Sequence, residues 1–112
     1  MILWHNPRCS KSREALALLE ANGVTPELRR YLEEPPSLAE LRAAQVALGV
    51  PVIDMMRVKE AAFAQRGLRG ADDATLLQAM AEEPKLIERP VLFAKGRAVI
   101  GRPPEKVLDL LG

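Results

Sequence analysis

The stretch Met1-Ile2-Leu3-Trp4-His5-Asn6-Pro7-Arg8-Cys9-Ser10-Lys11-Ser12-Arg13-Glu14-Ala15-Leu16-Ala17-Leu18-Leu19 changes character twice. Ile2 to Trp4 is a short apolar run, and Asn6-Pro7 breaks it. From Ser10 onward Ala15, Leu18 and Leu19 recur at i, i+3 and i+4, joined by Leu16, which is the spacing of one helix face. The order is a buried strand, a tight turn and a helix, and Cys9 falls on the turn. A sulfur at a helix start meets backbone N–H groups that have no intrahelical acceptor, and the helix dipole favours negative charge there. Such surroundings lower a thiol pKa from about 8.5 to roughly 3.5–7.5. The N–H groups of Ser10, Lys11, Ser12 and Arg13 are placed to stabilise a thiolate, and Arg8, Lys11 and Arg13 add positive charge. The competing reading is a buried structural cysteine; position and neighbours favour the reactive one.

Beyond the first helix, Asn22-Gly23 is a C-terminal stop. Glu27 to Leu32 alternates weakly and predicts a second strand. Ser37-Leu38-Ala39-Glu40 is a capping box opening a helix that carries Leu38, Leu41 and Leu48 and stops at Gly49. Pro51 opens another turn of helix containing Ile53, Met55 and Met56, and Val58 to Ala71 resists assignment. Asp72 or Asp73 caps a helix with Leu76, Leu77 and Met80, which Pro84 ends. Pro90 to Phe93 and Ala98 to Ile100, separated by Lys95-Gly96, predict a hairpin. Pro103-Pro104 suits a final helix start, with Val107, Leu108 and Leu111 as its inner face. A sheet flanked by helices would bury these elements, its first two strands parallel through a crossover.

The chain has 112 residues, 48% of them hydrophobic, which is enough for one small core, so a single domain over 1–112 is expected. A formal net charge of +1 argues against attraction of nucleic acid or membrane over the whole surface. No apolar run approaches the roughly 18 residues of a membrane span, and the first residues lack the layout of a secretory signal. One cysteine excludes an internal disulfide and fits a reducing cytoplasm, the expected location.

Cys9-Ser10-Lys11-Ser12 resembles a redox Cys-x-x-Cys with serine in the second place. Any adduct on Cys9 then needs a thiol from elsewhere to resolve it. His5, the single histidine, stands four residues upstream, placed either to assist Cys9 or to serve the structure. One Cys and one His are too few for a structural zinc site, and no metal is expected. Arg57, Arg89 and Arg102 each stand at the edge of an element, where planar guanidinium donors can converge on an oxyanion.

These residues resemble the ArsC-type arsenate reductases that are coupled to glutathione and glutaredoxin. The resemblance runs through His5-Asn6-Pro7-Arg8-Cys9 with Ser12-Arg13, Tyr31-Leu32-Glu33-Glu34-Pro35-Pro36, Met55-Met56-Arg57, Leu86-Ile87-Glu88-Arg89-Pro90 and Gly101-Arg102-Pro103-Pro104-Glu105-Lys106-Val107-Leu108. It implies an α/β, thioredoxin-like fold: a mixed four-stranded sheet flanked by helices, with a helical insertion between strands 2 and 3 at about 37–84. It implies Cys9 as nucleophile with His5 beside it, Arg57, Arg89 and Arg102 as binders of arsenate, and Pro90 as a cis-proline. It implies no bound cofactor, glutathione as co-substrate and a glutaredoxin as partner. Arg8-Cys9-Ser10-Lys11 is more basic than the small-residue version in plasmid-type enzymes and resembles a chromosomal subgroup. Two other readings stand beside this one. One is a monothiol glutathione-dependent oxidoreductase without an arsenic substrate. The other is a redox-sensing regulator that binds RNA polymerase, although such regulators often carry a Cys-x-x-Cys switch that is absent here.

Overall fold

The computed structural model describes residues 1–111. Among them, β1 (Ile2–Trp4), β2 (Glu27–Arg29), β3 (Val91–Ala94) and β4 (Arg97–Ile100) form one sheet in the order β2-β1-β3-β4. β1 runs parallel to β2 and antiparallel to β3, which is itself antiparallel to β4. With helix α1 (Ser10–Ala21) joining β1 to β2, this is the mixed α/β sheet of a thioredoxin-like fold. The chain divides into two compact units, Met1–Glu34 together with the chain from Arg89 onward, and Pro35–Glu88.

The first unit is organised by register. Leu3 and Leu92 are directly paired, so both side chains leave the same face of the sheet. There they meet Ala15 and Leu19 of α1, and Val107 and Leu110 of a C-terminal 3-10 helix, Pro104–Leu110. Leu3, Ala15, Leu19, Leu92 and Val107 are all 0% exposed. Burial of each larger aliphatic among them stabilises the unit by about 1.5–3 kcal/mol. On the opposite face the Trp4 and Phe93 rings, diagonal neighbours across the strands, lie 4.7 Å apart at a tilt of 53°. The β3–β4 turn takes left-handed backbone at both central residues, Lys95 at φ 53° and Gly96 at φ 75°. That turn matches the right-handed twist of the strands it joins.

Two expectations for this unit are corrected. The second strand was expected over Glu27 to Leu32, but it ends at Arg29. The amides of Glu33 and Glu34 both donate to the Arg30 carbonyl, at 2.9 and 2.8 Å. This turn carries Tyr31 into the interior, 1% exposed, and leaves Leu32 at the surface. The last helix is 3-10 rather than α. With three residues per turn, positions i and i+3 eclipse, so Pro104, Val107 and Leu110 line the buried side. Leu108 and Leu111 pack only at the margin of the core.

The second unit holds α2 (Leu38–Leu48), α3 (Ala61–Gln65) and α4 (Asp73–Glu82), with 3-10 turns at Val52–Met55 and Pro84–Leu86. The capping box of α2 is complete. Glu40 N–H donates to Ser37 Oγ at 3.1 Å, and Ser37 N–H donates to Glu40 Oε1 at 3.0 Å. Asp72, not Asp73, caps α4, its Oδ1 accepting from Thr75 N–H at 2.8 Å. Leu41 and Ala44 of α2 and Leu76, Ala79 and Met80 of α4 are buried. The unassigned stretch 58–71 contains the short α3, whose Ala62 and Phe63 are buried. Met56 lies beyond its 3-10 turn in extended backbone, bridged antiparallel to Ile87. No helix among the described residues is long and apolar enough to cross a membrane.

Leu92→Ala tests the packing of the first unit. It should lower unfolding free energy by about 2–5 kcal/mol, the cost of a cavity in a packed core. Urea denaturation followed by circular dichroism measures this, and a loss below about 1 kcal/mol would show that Leu92 is not a central packing residue.

Candidate active site

The chain leaves β1 through a loop pinned at almost every residue. His5 N–H donates to the Arg29 carbonyl at 2.8 Å, which carries the parallel pairing one step past the strand. Asn6 then organises the turn. Its Oδ1 accepts from Arg8 N–H at 3.0 Å, and its carbonyl accepts from Cys9 N–H at 3.0 Å. An asparagine side chain that binds the backbone two residues on is a turn device. Arg13 Nη1 reaches back from α1 to the Pro7 carbonyl at 2.9 Å. Cys9 is delivered as the N-cap of α1 in extended backbone, φ −95° and ψ 123°, and its carbonyl accepts from Arg13 N–H at 3.0 Å.

Cys9 is partly exposed. Burial pushes its thiol pKa up, but the opposing influences win and hold it below its ordinary value. These are the Ser12 N–H, the Arg89 guanidinium, the Lys11 N–H and the Arg102 guanidinium. Two helix-start amides and two guanidinium charges therefore act on one sulfur. Arg102 Nη2 lies 4.0 Å from Cys9 Sγ. Arg102 Nε donates to the Arg89 carbonyl at 2.9 Å, so the Arg102 side chain is tied to the backbone at Arg89. The Arg89–Pro90 and Arg102–Pro103 peptide bonds are both cis.

The remaining thiolate-stabilising residues divide by role. Lys11 and Ser12 act on the sulfur through the backbone, while the Lys11 ammonium pairs with Glu14 at 3.7 Å on the exposed side. Ser10 is exposed at the first turn, and the Arg13 side chain holds the loop. His5 and Ser12 form a buried pair, with His5 Nδ1 2.6 Å from Ser12 Oγ. The same Oγ accepts from Asn6 N–H at 3.0 Å. Burial, with the charges of Arg30 and Arg13, holds the His5 pKa below its ordinary value. A neutral imidazole fits this pocket, and His5 reaches Cys9 through Ser12.

Arg57 belongs to the second unit, where Nη1 pairs with Glu60 at 3.3 Å and contacts the Lys85 carbonyl at 3.5 Å. Among the described residues, no group of three or more His, Cys, Asp or Glu could hold a metal ion.

Sequence reasoning did not find the parts played by Asn6 and the Ser12 hydroxyl. The Asn-Pro turn signal marked the bend but not which bonds the asparagine would make. The spacing of His5 and Ser12 belongs to neither strand nor helix periodicity, because it spans the junction of the two. Chemically, the site sets a thiol of lowered pKa beside guanidinium groups, whose paired planar donors suit an oxyanion.

A sequence model of the ArsC family matches residues 4–110. The uncharacterized protein YfgD of Escherichia coli (strain K12) is 48% identical over 113 residues, covering 98% of this chain and 95% of that protein. An arsenate reductase of Neisseria meningitidis serogroup A is 45% identical over 112 residues, covering 97% of this chain and 96% of that one. The solved structure of an arsenate reductase from Vibrio cholerae superposes with a TM-score of 0.95 at 48% identity, covering 97% of this chain and 95% of that chain. The matched span takes in the cysteine loop, β2 to β4, Arg89, Arg102 and the whole second unit, and the chain belongs to the ArsC family.

Proposed function

We propose that this protein is an arsenate reductase that works through the single thiolate of Cys9. The observation that carries the reading is the Arg102 guanidinium 4.0 Å from Cys9 Sγ, braced to Arg89. Relatives named arsenate reductase at 45% and 48% identity support the substrate.

The chemistry begins with an electrostatic problem, since two anions must approach each other. Arg89 and Arg102 neutralise arsenate as Cys9 Sγ attacks arsenic. An S–As(V) bond forms, and an arsenate oxygen leaves as hydroxide or, once protonated, as water. The family resemblance carries Arg57 as a third anion ligand. Glutathione thiolate then attacks Cys9 Sγ. A sulfur–sulfur bond forms, the S–As electron pair passes to arsenic, and arsenite leaves as As(III). The two electrons come from the two sulfurs, which end as a Cys9–glutathione mixed disulfide. A glutaredoxin thiolate takes over the glutathione by exchange and returns Cys9 as thiolate. The requirement for outside thiols follows from the single cysteine of the chain.

Three outcomes follow. In an assay coupling NADPH to glutathione reductase, glutathione, glutaredoxin and arsenate, Cys9→Ser should form no arsenite while keeping the far-ultraviolet circular dichroism of the parent. Arsenite at the parent rate would remove Cys9 from the mechanism. Arg102→Lys should lower kcat/KM for arsenate by about 10²–10³-fold, the scale of losing an oriented donor to a developing anion, because an ammonium lacks the paired planar donors. Unchanged kinetics would rule out the guanidinium clamp. The third outcome concerns pH. Alkylation by iodoacetamide requires the thiolate, so its rate should fall as pH drops through the lowered Cys9 pKa. Arg102→Ala should move that inflection to higher pH. An inflection at or above the ordinary thiol value in the parent would contradict the activated sulfur.

A further inference from the structure

Gly101 differs from the other described glycines in what surrounds it. Gly23, Gly49, Gly67, Gly70 and Gly96 take left-handed backbone and have nothing within 4 Å of a built Cβ. Gly101 is outside that backbone region, so its conformation does not call for glycine. What calls for it is space. A Cβ at 101 would stand 2.9 Å from Pro90 Cγ, 3.0 Å from Val107 Cγ1 and 3.3 Å from Pro90 Cδ. Neither neighbour yields readily. Pro90 is a fully buried rigid ring, and Val107, at 0% exposure, is β-branched with restricted rotamers.

The close approach is bonded as well as packed. Gly101 N–H donates to the Pro90 carbonyl at 2.9 Å, one residue from each arginine of the site. On one side Arg102 follows Gly101, and on the other Arg89 precedes Pro90. The Arg102 Nε to Arg89 carbonyl bond of 2.9 Å spans the same gap. Any displacement of residue 101 away from Pro90 therefore opens the brace that holds Arg102 Nη2 4.0 Å from Cys9 Sγ.

We propose that Gly101 is a positioning residue for the oxyanion site: its missing side chain lets the Arg102 segment seat on Pro90, and this seating sets the Arg102 guanidinium against the sulfur. The proposal rests on the reading of Cys9, Arg89 and Arg102 as the reacting site. Gly101 acts through Arg102, the residue that follows it. It also sets a size limit, since hydrogen is the only substituent that fits.

Gly101→Ala should lower kcat/KM for arsenate by about 10- to 100-fold, in line with the cost of misplacing catalytic groups by a fraction of an ångström to 1 Å. The loss should fall mainly on KM. The iodoacetamide inflection of Cys9 should move to higher pH, because the Arg102 guanidinium no longer sits at the sulfur. The control is Val107→Ala, which enlarges the same corner of the core without obstructing residue 101. It should lower Tm yet leave the arsenate KM and the Cys9 inflection unmoved. If Gly101→Ala does not fold, Gly101→Ala/Val107→Ala removes one colliding atom and is compared with Val107→Ala in its place. Matching KM values and matching inflections in test and control variants would overturn the proposal and reduce Gly101 to a packing residue. The alkylation measurement uses no arsenate. A shifted inflection in Gly101→Ala, with no arsenate reduction by the parent protein, therefore supports the positioning role while sinking the arsenate reading.

Discussion

A partly buried sulfur ionises below its ordinary range only where its surroundings answer the charge more strongly than burial penalises it. Here the answer comes from two sources of different kinds. The Lys11 and Ser12 amides are part of the backbone, and their aim follows from the helix having started at Cys9. The Arg89 and Arg102 guanidinium groups flank a hairpin from the far end of the chain. The β1–β3 pairing brings the hairpin alongside the strand from which the cysteine loop leaves.

The sulfur's dependence on these surroundings explains why so many bonds crowd the short connection between β1 and α1. Asn6, Ser12 and Arg13 each bind a backbone group of residues 6–8, and the His5 ring rests on the Ser12 hydroxyl. A loose loop would let the sulfur leave its amides and forfeit the dipole's favour, which falls off within the first turn of a helix. Ser12 serves twice, through its side chain in holding the loop and through its N–H at the sulfur. Burial and neighbouring cations keep His5 below its ordinary pKa.

Much of this was legible in the sequence because local signals and the fold agree. Ile2 to Trp4, the helix from Ser10, the Ser37 capping box and the Lys95-Gly96 hairpin each carry a local physical signature, and each stands where it was read. The readings that failed depend on contacts remote in sequence. Nothing between Glu27 and Leu32 says that Tyr31 prefers the interior to a place in the strand. An apolar set at 107, 108 and 111 suits an α-helix, and the 3-10 winding that replaces Leu108 and Leu111 with Leu110 answers to packing against α1. At the site, residue types suggested an activated thiol and anion-binding arginines. Which cations act on the sulfur could not be read locally: Lys11 is adjacent yet pairs with Glu14, while Arg102 arrives from the other end of the chain.

The solitary sulfur has a consequence for how such a catalyst behaves among other molecules. A protein with a neighbouring thiol can expel an adduct by closing a bridge within itself and await reduction later. This chain keeps no such reserve. In the proposed cycle each turnover halts until a small thiol arrives from solution, so throughput follows the supply of that thiol. The protein would run as a dependent of the cell's reductant pool, slowing when the pool is drained.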